Sequence, residues 1–409
     1  VIIMNNHYLV RLVLAFCVVL ITAGVTFAAD GAFSGAEKAA ESVNAFTFDM
    51  YAELADEEGN LFISPYSISS AMAMLYAGTS GEAEREVRDV MHYPEGLHPA
   101  MRELRDILGE GGMGELSVAN AIWPDSGLKL LSAYLGIIRD YYCGEVTQFD
   151  YVKKWRDAED VINEWTAERT RGMIKSIFER DALKPGGNET TSLVLTNAVY
   201  FFSKWEEPFE KKLTSDGVFF GATERETKFM RQMNSFPYFE TEDFQLLEMP
   251  YEDGRRSFVV LLPREKDGIK SLEAALTAGK YAEWMRSTDY DKVNVYLPKF
   301  ELEWGKDLAP VFKSLGLKSI FESNRENFEN LTVTKELMRV SCIIHKTKIT
   351  LDEEKTEAAA VTAVIMPTAT AIEPVSRPYE FRADHPFVFF IADNSTGTIL
   401  FMGRFSEPK

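Results

Sequence analysis

Helical periodicity fills the first half of this 409-residue chain, long strand-forming runs fill the second, and no Pro/Gly/Ser-rich linker separates them. Val43, Phe46, Met50 and Leu54 recur at three- and four-residue intervals, which lines one face of a helix. Ser64-Pro65 reads as the N-cap and first position of a second helix that runs through Met72, Met74 and Leu75 and stops at Gly78. Ser80 is placed to cap a third, with Glu82, Glu84 and Glu86 at its positive end. Val161 onward is helical to about Arg171, before Gly172. From there Ser192–Phe202, Ser257–Leu262, Val293–Phe300, Ile343–Leu351, Phe387–Ala392 and Thr398–Met402 read as strands. Val293, Val295 and Leu297 alternate with Asn294, Tyr296 and Pro298, the pattern of a half-buried strand. With no internal repeat, these elements predict one large α+β domain rather than two or three separate ones.

The composition fits a folded protein: 46% hydrophobic and 26% charged. The net charge of −19 argues against nucleic acid or an anionic membrane as partner, since both would repel it. Arg11 is the only formal charge before Asp30. The apolar run Leu12–Ile21 follows it, then the small-residue exit Thr26-Phe27-Ala28. The three parts together predict a secretory signal over residues 1–28, with a membrane anchor as the less favoured reading. Its removal leaves a domain over residues 29–409 with a net charge of −20, because Arg11 is lost. Cys143 and Cys342 then remain, with no spacing signature, and read as ordinary semi-buried thiols.

Catalytic signatures are missing. His92, His98, His345 and His385 form no metal-binding pattern, and there is no G-x-S-x-G elbow or phosphate loop. Gly78-Thr79-Ser80-Gly81 has no preceding strand and reads as an interhelical turn. No enzyme, cofactor or metal is predicted. Asn188, Asn330 and Asn394 each begin a glycosylation sequon, which matters only in a pathway that glycosylates.

One segment stands apart. Thr356 to Ile372 has a single charge, Glu357, and no Gly. Thr356, Ala358, Ala360, Thr362 and Val364 fall on one face of an extended chain, all small or apolar, with Glu357 on the other. The Ala run favours helix, whereas Val361, Thr362, Val364 and Ile365 weaken it. Pro367 to Pro378 continues as a Thr/Pro-rich loop. Periodicity alone leaves exposed loop and latent strand evenly matched.

Several stretches resemble the serpin family, in order and over essentially the whole chain after the signal. Asn60-Leu61-Phe62-Ile63-Ser64-Pro65-Tyr66-Ser67-Ile68-Ser69 is similar to its early helix motif, and Leu195-Thr196-Asn197-Ala198-Val199-Tyr200-Phe201 followed by Lys204-Trp205 to its central strand. Leu297-Pro298-Lys299-Phe300, Leu315-Gly316-Leu317, Phe381-Arg382-Ala383-Asp384-His385-Pro386-Phe387 and Phe401-Met402-Gly403-Arg404 resemble later landmarks. Glu353-Glu354-Lys355-Thr356-Glu357-Ala358-Ala359-Ala360 is similar to the hinge of the family's reactive loop.

The resemblance implies three β-sheets, about nine helices and an exposed reactive loop over about 353–380. It implies an exported inhibitor that acts as a suicide substrate: a serine protease cleaves the loop, which inserts into the main sheet and traps the acyl-enzyme. Hinge residues Thr356, Glu357, Ala358, Ala359, Ala360 and Thr362 would enter first. Ser64, Ser67, Asn197 and His345 match the polar shutter beneath the sheet. Trp205, Lys299 and Glu353 match the breach where insertion starts, and an exposed Lys299–Glu353 pair there is worth roughly 0–1 kcal/mol. Counting from the hinge puts the scissile bond at Ala369–Thr370, within the window Met366–Ala371; counting back from Pro386 lands near Val375. That window has no Arg or Lys, so elastase-like or subtilisin-like proteases are expected over trypsin-like ones. Two positions depart from the family pattern, Lys355 and Ser203, each where Gly is usual. Lys355 keeps a non-inhibitory serpin (carrier, chaperone or storage protein) as the alternative. A monomer is expected, with no heparin-type activator given the acidity.

Overall fold

The computed structural model describes residues 34–109, 115–186, 191–334, 336–353 and 377–408. Gly35 to Lys409 forms one compact unit. Residues 1–28, the hinge residues Thr356, Glu357, Ala358, Ala359, Ala360 and Thr362, the scissile pair Ala369 and Thr370, and sequon residue Asn188 lie outside the described residues.

Helix α1 (Gly35–Leu54) buries Val43, Phe46, Met50 and Leu54, as their spacing predicts. Strand β1 (Leu61–Ile63) leads to α2 (Pro65–Tyr76), capped by Ser64, whose Oγ accepts from the Ser67 N–H at 3.4 Å. Every residue of α2 from Pro65 to Leu75 is buried, so it is an interior helix and not an amphipathic surface one. The Gly78–Gly81 turn joins it to α3 (Gly81–Val90). Ser80 is the N-cap of α3, but its hydroxyl donates to the Glu326 carbonyl instead of accepting from the helix, contrary to the sequence expectation. Then come α4 (Leu97–Leu108), β2 (Glu115–Pro124), α5 (Ser132–Ile137), β3 (Glu145–Val146) and α6 (Trp155–Arg169). After α6, Gly172 adopts φ +77° at the predicted stop.

The second half supplies β4 (Leu193–Phe202), β5 (Ser215–Phe220), β6 (Glu224–Glu240), β7 (Phe244–Pro250) and β8 (Arg256–Pro263). Helices α7 (Ile269–Ala275) and α8 (Ala278–Arg286) follow, then β9 (Asp289–Pro298), β10 (Phe300–Asp307), α9 (Ala309–Ser314) and β11 (Val340–Leu351). The chain ends in β12 (Tyr379–Arg382), β13 (Phe387–Asp393) and β14 (Ile399–Phe405). The described residues thus hold nine α-helices, as the resemblance implied.

The strands form a five-stranded sheet, β10-β11-β4-β2-β3, and a nine-stranded one, β1-β14-β13-β8-β7-β6-β9-β12 with β5 on β6. The seventeen-residue β6 explains why two sheets stand where three were expected: it joins two of them into the nine-stranded one. It pairs with β5 and β9 over most of its length and touches β7 only at Tyr238–Glu240. In the five-stranded sheet β4 is buried on both faces. Leu193, Leu195, Val199 and Phe201 join the main core, while Val194 and Ala198 lie under Ile162, Ile174 and Phe178. That double burial is why Ser192–Phe202 reads as a continuous apolar run. In β9, Val293, Val295 and Leu297 are buried as predicted, but Asn294 and Pro298 are buried too, so the strand is more enclosed than simple alternation implied. Gly403 has a steric role: a Cβ there would sit 2.5 Å from the Phe389 ring and 2.7 Å from the Leu61 carbonyl. Cys143 is exposed, not semi-buried as expected, whereas Cys342 is partly buried.

Candidate functional site

Strands β4 and β11 run parallel at the centre of the five-stranded sheet, and every other pairing of β4 and β11 is antiparallel. This parallel seam is where the predicted site residues meet. His345 of β11 lies directly opposite Asn197 of β4, and their side chains bond across the seam. His345 Nε2 accepts from the Ser64 N–H at 3.1 Å, so Nδ1 carries the proton it gives to Asn197 Oδ1. Burial pushes the imidazole down to about 3, partly opposed by the Asn197 bond, and the ring is neutral.

Asn197 spends both amide protons, one on Ser67 Oγ and one on Asn120 Oδ1. Ser64 Oγ donates to the Leu400 carbonyl at 2.7 Å, tying the cluster to β14. The four predicted shutter residues Ser64, Ser67, Asn197 and His345 therefore form one buried hydrogen-bonded group. Asn120 was missed. Its signal was present: a lone amide in the small-residue run Val118-Ala119-Asn120-Ala121, on a strand whose register sets it opposite Asn197.

Trp205, Lys299 and Glu353, which the resemblance matched to the breach, lie together at the end of β11. Trp205 Nε1 donates to the Asp352 carbonyl at 2.9 Å, and its ring stacks on Tyr251 at 4.9 Å between centroids. Lys299 Nζ reaches Glu353 Oε2 at 2.5 Å, Thr214 Oγ1 donates to Oε1 at 2.7 Å, and the Phe209 N–H donates to the Glu353 carbonyl at 3.1 Å. The pair is not the exposed one expected from sequence: Glu353 is only 4% exposed. Burial raises the carboxyl, but the bonds from Lys299 and Thr214 outweigh it and hold the group below its usual value. Two more ion pairs, Lys346–Glu303 at 2.9 Å and Lys348–Glu301 at 2.7 Å, fasten β11 to β10. The β10–β11 pair is thus cross-linked on one side of the seam.

Among the described residues no three His, Cys, Asp or Glu side chains converge as a metal site. The remaining histidines contact Asp49 (His92), Tyr142 (His98), and Asp384 and the Pro263 carbonyl (His385).

Residues 41–408 match the protein family described as Serpin (serine protease inhibitor). The chain belongs to the serpin family. This serpin is 38% identical over 378 residues to an uncharacterized serpin-like protein of Thermococcus kodakarensis, covering 90% of this chain and 85% of that one. It is 36% identical to the leukocyte elastase inhibitor of Equus caballus, covering 89% and 97% of the two chains. It also matches the crystal structure of Serpin48, a highly specific serpin of the insect Tenebrio molitor, with a TM-score of 0.78 and 29% identity over 91% of this chain and 99% of that one. Membership of a family of serine protease inhibitors agrees with the lack of a catalytic signature in the sequence.

Proposed function

We propose that this serpin is an exported suicide-substrate inhibitor of serine proteases, not an enzyme, and that its cleaved loop inserts between β4 and β11. The parallel seam is the observation that carries this reading. A segment returning from the end of β11 would run antiparallel to β11 and to β4 alike, so one inserted strand would exchange slanted parallel bonds for two antiparallel ladders. Residues 354–376 connect β11 to the segment before β12, and their hinge carries small residues on the face that would turn inward. β11 has 12 residues and β4 has 10, so a strand starting at Thr356 fills the seam before the Ala369–Thr370 bond.

Insertion must break the His345–Asn197 bond, and the shutter would re-form around the new strand. Ordering about 17 residues costs roughly 17–34 kcal/mol of backbone entropy, which new ladder bonds and apolar burial must exceed. The intact chain would then be held by kinetics. The lack of Arg and Lys in Met366–Ala371 favours elastase-like or subtilisin-like targets, and the 36% identity to a leukocyte elastase inhibitor points the same way. Export rests on the signal pattern of residues 1–28. Lys355 favours the alternative, a non-inhibitory serpin, because a long charged side chain replaces the flexible residue next to the hinge Thr.

Incubation with elastase, subtilisin, chymotrypsin and trypsin tests the reading. We expect an SDS-resistant complex with elastase or subtilisin, and a released fragment beginning at or near Thr370. Cleavage by every one of these without any complex overturns it.

A further inference from the structure

Two of the sequons, those of Asn330 and Asn394, lie within the described residues, and the fold treats them differently. Asn330-Leu331-Thr332 is built into the domain. Leu331 is fully buried in the main core, its N–H donates to the Phe328 carbonyl at 3.0 Å, and its carbonyl accepts from the Leu131 N–H at 2.9 Å. Thr332 is buried too, and its hydroxyl donates to the Lys129 carbonyl at 2.8 Å. Asn330 Nδ2 donates to the Thr79 carbonyl at 2.7 Å. Drawing this triplet out as an extended acceptor would take a leucine out of the core and break these hydrogen bonds.

Asn394-Ser395-Thr396 sits instead on the turn between β13 and β14, with Asn394 and Ser395 exposed and Thr396 half-buried. The turn is held from within. Asp393 Oδ1 accepts from the N–H and hydroxyl groups of Ser395 and Thr396 at 2.6–3.1 Å. The Asn394 N–H donates to the Arg255 carbonyl at 2.7 Å. The Asn394 side chain carries none of this. Its Nδ2 reaches the Gly254 carbonyl at 3.5 Å, the outer limit of a hydrogen bond. Space around the turn is open as well, since a Cβ on Gly397 would meet no atom within 4 Å.

We infer that Asn394 is a modification site, the amide that receives an N-linked oligosaccharide when this chain passes through a glycosylating export route. The inference rests on the export reading above. In the transfer a bond forms between Asn394 Nδ2 and the anomeric carbon of a lipid-pyrophosphate-linked oligosaccharide. The bond from that carbon to the pyrophosphate oxygen breaks, the lipid pyrophosphate leaves, and one Nδ2 proton is released. The Thr396 hydroxyl, the third element of the sequon, bonds only within the turn, to Asp393 at 3.0 Å and to Thr398 Oγ1 at 2.7 Å. Strand β13 keeps the sugar away from the inhibitory loop. It runs from Phe387, on the loop side, to Asp393, about 20 Å of extended chain at about 3.4 Å per residue. A bulky, solubilising glycan on Asn394 therefore caps the far end of the strand and leaves the loop clear.

The test produces the full chain in a eukaryotic secretory host twice, once with residues 1–28 and once with the host's own signal in their place. The secreted protein is treated with peptide N-glycosidase, which converts each formerly glycosylated Asn to Asp, and is mapped by mass spectrometry. We expect the conversion at Asn394 and none at Asn330, with the map keeping Asn188 separate from both. Asn394→Gln and Thr396→Ala should each remove that glycan's mass from the secreted protein, whereas Thr396→Ser, which keeps the hydroxyl, should retain it. Asn394→Gln alters an exposed side chain that the turn does not use, so loss of the glycan in that variant is not a folding effect. A bare Asn394 in secreted protein, or sugar at Asn330 with none at Asn394, overturns the inference. Secretion with the host signal but not with residues 1–28 overturns the export reading alone, and the map of the secreted form still decides Asn394.

Discussion

Replacing Thr356 by Arg should convert this serpin from an inhibitor into a substrate. Thr356 leads the segment that would enter the β4–β11 seam, with its side chain on the face that turns toward the core. At the end of β11, where insertion would start, Leu351, Phe201 and Trp205 are buried, so the space beneath offers no solvent to an incoming charge. An unpaired guanidinium placed there costs several kcal/mol. Because the hinge enters first, that cost falls on the start of insertion, and each 1.4 kcal/mol slows a step about tenfold. Deacylation of the protease would then outrun trapping. We expect cleavage at the same bond with the SDS-resistant complex reduced at least about tenfold, read as stoichiometry of inhibition. An unchanged stoichiometry contradicts insertion with Thr356 facing inward. The variant should fold normally, since its effect arises only after cleavage.

The largest effect on the intact fold is expected from Arg404→Leu. Arg404 is buried on β14, and its guanidinium gathers the chain after α1: Nη1 donates to the Ala55 carbonyl at 2.7 Å, Nε to Gly59 at 3.1 Å, and Nη2 to Gly59 at 3.0 Å and to Glu57. Nη1 also reaches Glu273 Oε1 at 2.8 Å, which accepts from the Tyr51 hydroxyl at 2.8 Å, and both side chains of the ion pair are 3% exposed. Burial, with the Glu273 charge beside it, pushes the Tyr51 hydroxyl far above its usual range, so it remains a donor. Losing the arginine leaves a buried carboxylate whose other cation, Lys270, is 3.4 Å away and 60% exposed. Breaking a buried pair on one side costs about 3–5 kcal/mol. For a domain of this size that is a fall of about 4–6 °C in melting temperature. Arg404→Leu combined with Glu273→Leu should recover part of the loss, because no lone charge is then buried. A shift of under about 1 °C in the single variant would show that Lys270 and water replace the guanidinium.

The helices and the central strands were legible because their burial writes itself into local spacing. Phe46 and Met50 face one core, and Leu195 and Val199 point to one side of β4 while Val194 and Ala198 point to the other. β2 and β6 were not legible. β6 spreads exposed Glu224, Glu226 and Met233 among buried Phe229 and Met230 because it serves two pairing partners with different faces covered. That Ser64, Ser67, Asn197 and His345 cluster was legible through the resemblance but not through spacing. Ser64, Asn120, Asn197 and His345 lie on four elements and meet only by tertiary register, and Asn120 carries no motif of its own. The burial of Glu353 was illegible for a related reason. It depends on Thr214 and Phe209, 139 and 144 positions away in the chain.

The central claim is that the loop becomes a strand of the five-stranded sheet once cut. The melting temperature of the wild-type protein before and after a single cleavage within Met366–Ala371 tests it most directly. On the proposed reading, insertion replaces the parallel seam by two antiparallel ladders, so the cut protein should melt well above the intact one. A cut protein that melts at or below the temperature of the intact chain would contradict insertion between β4 and β11.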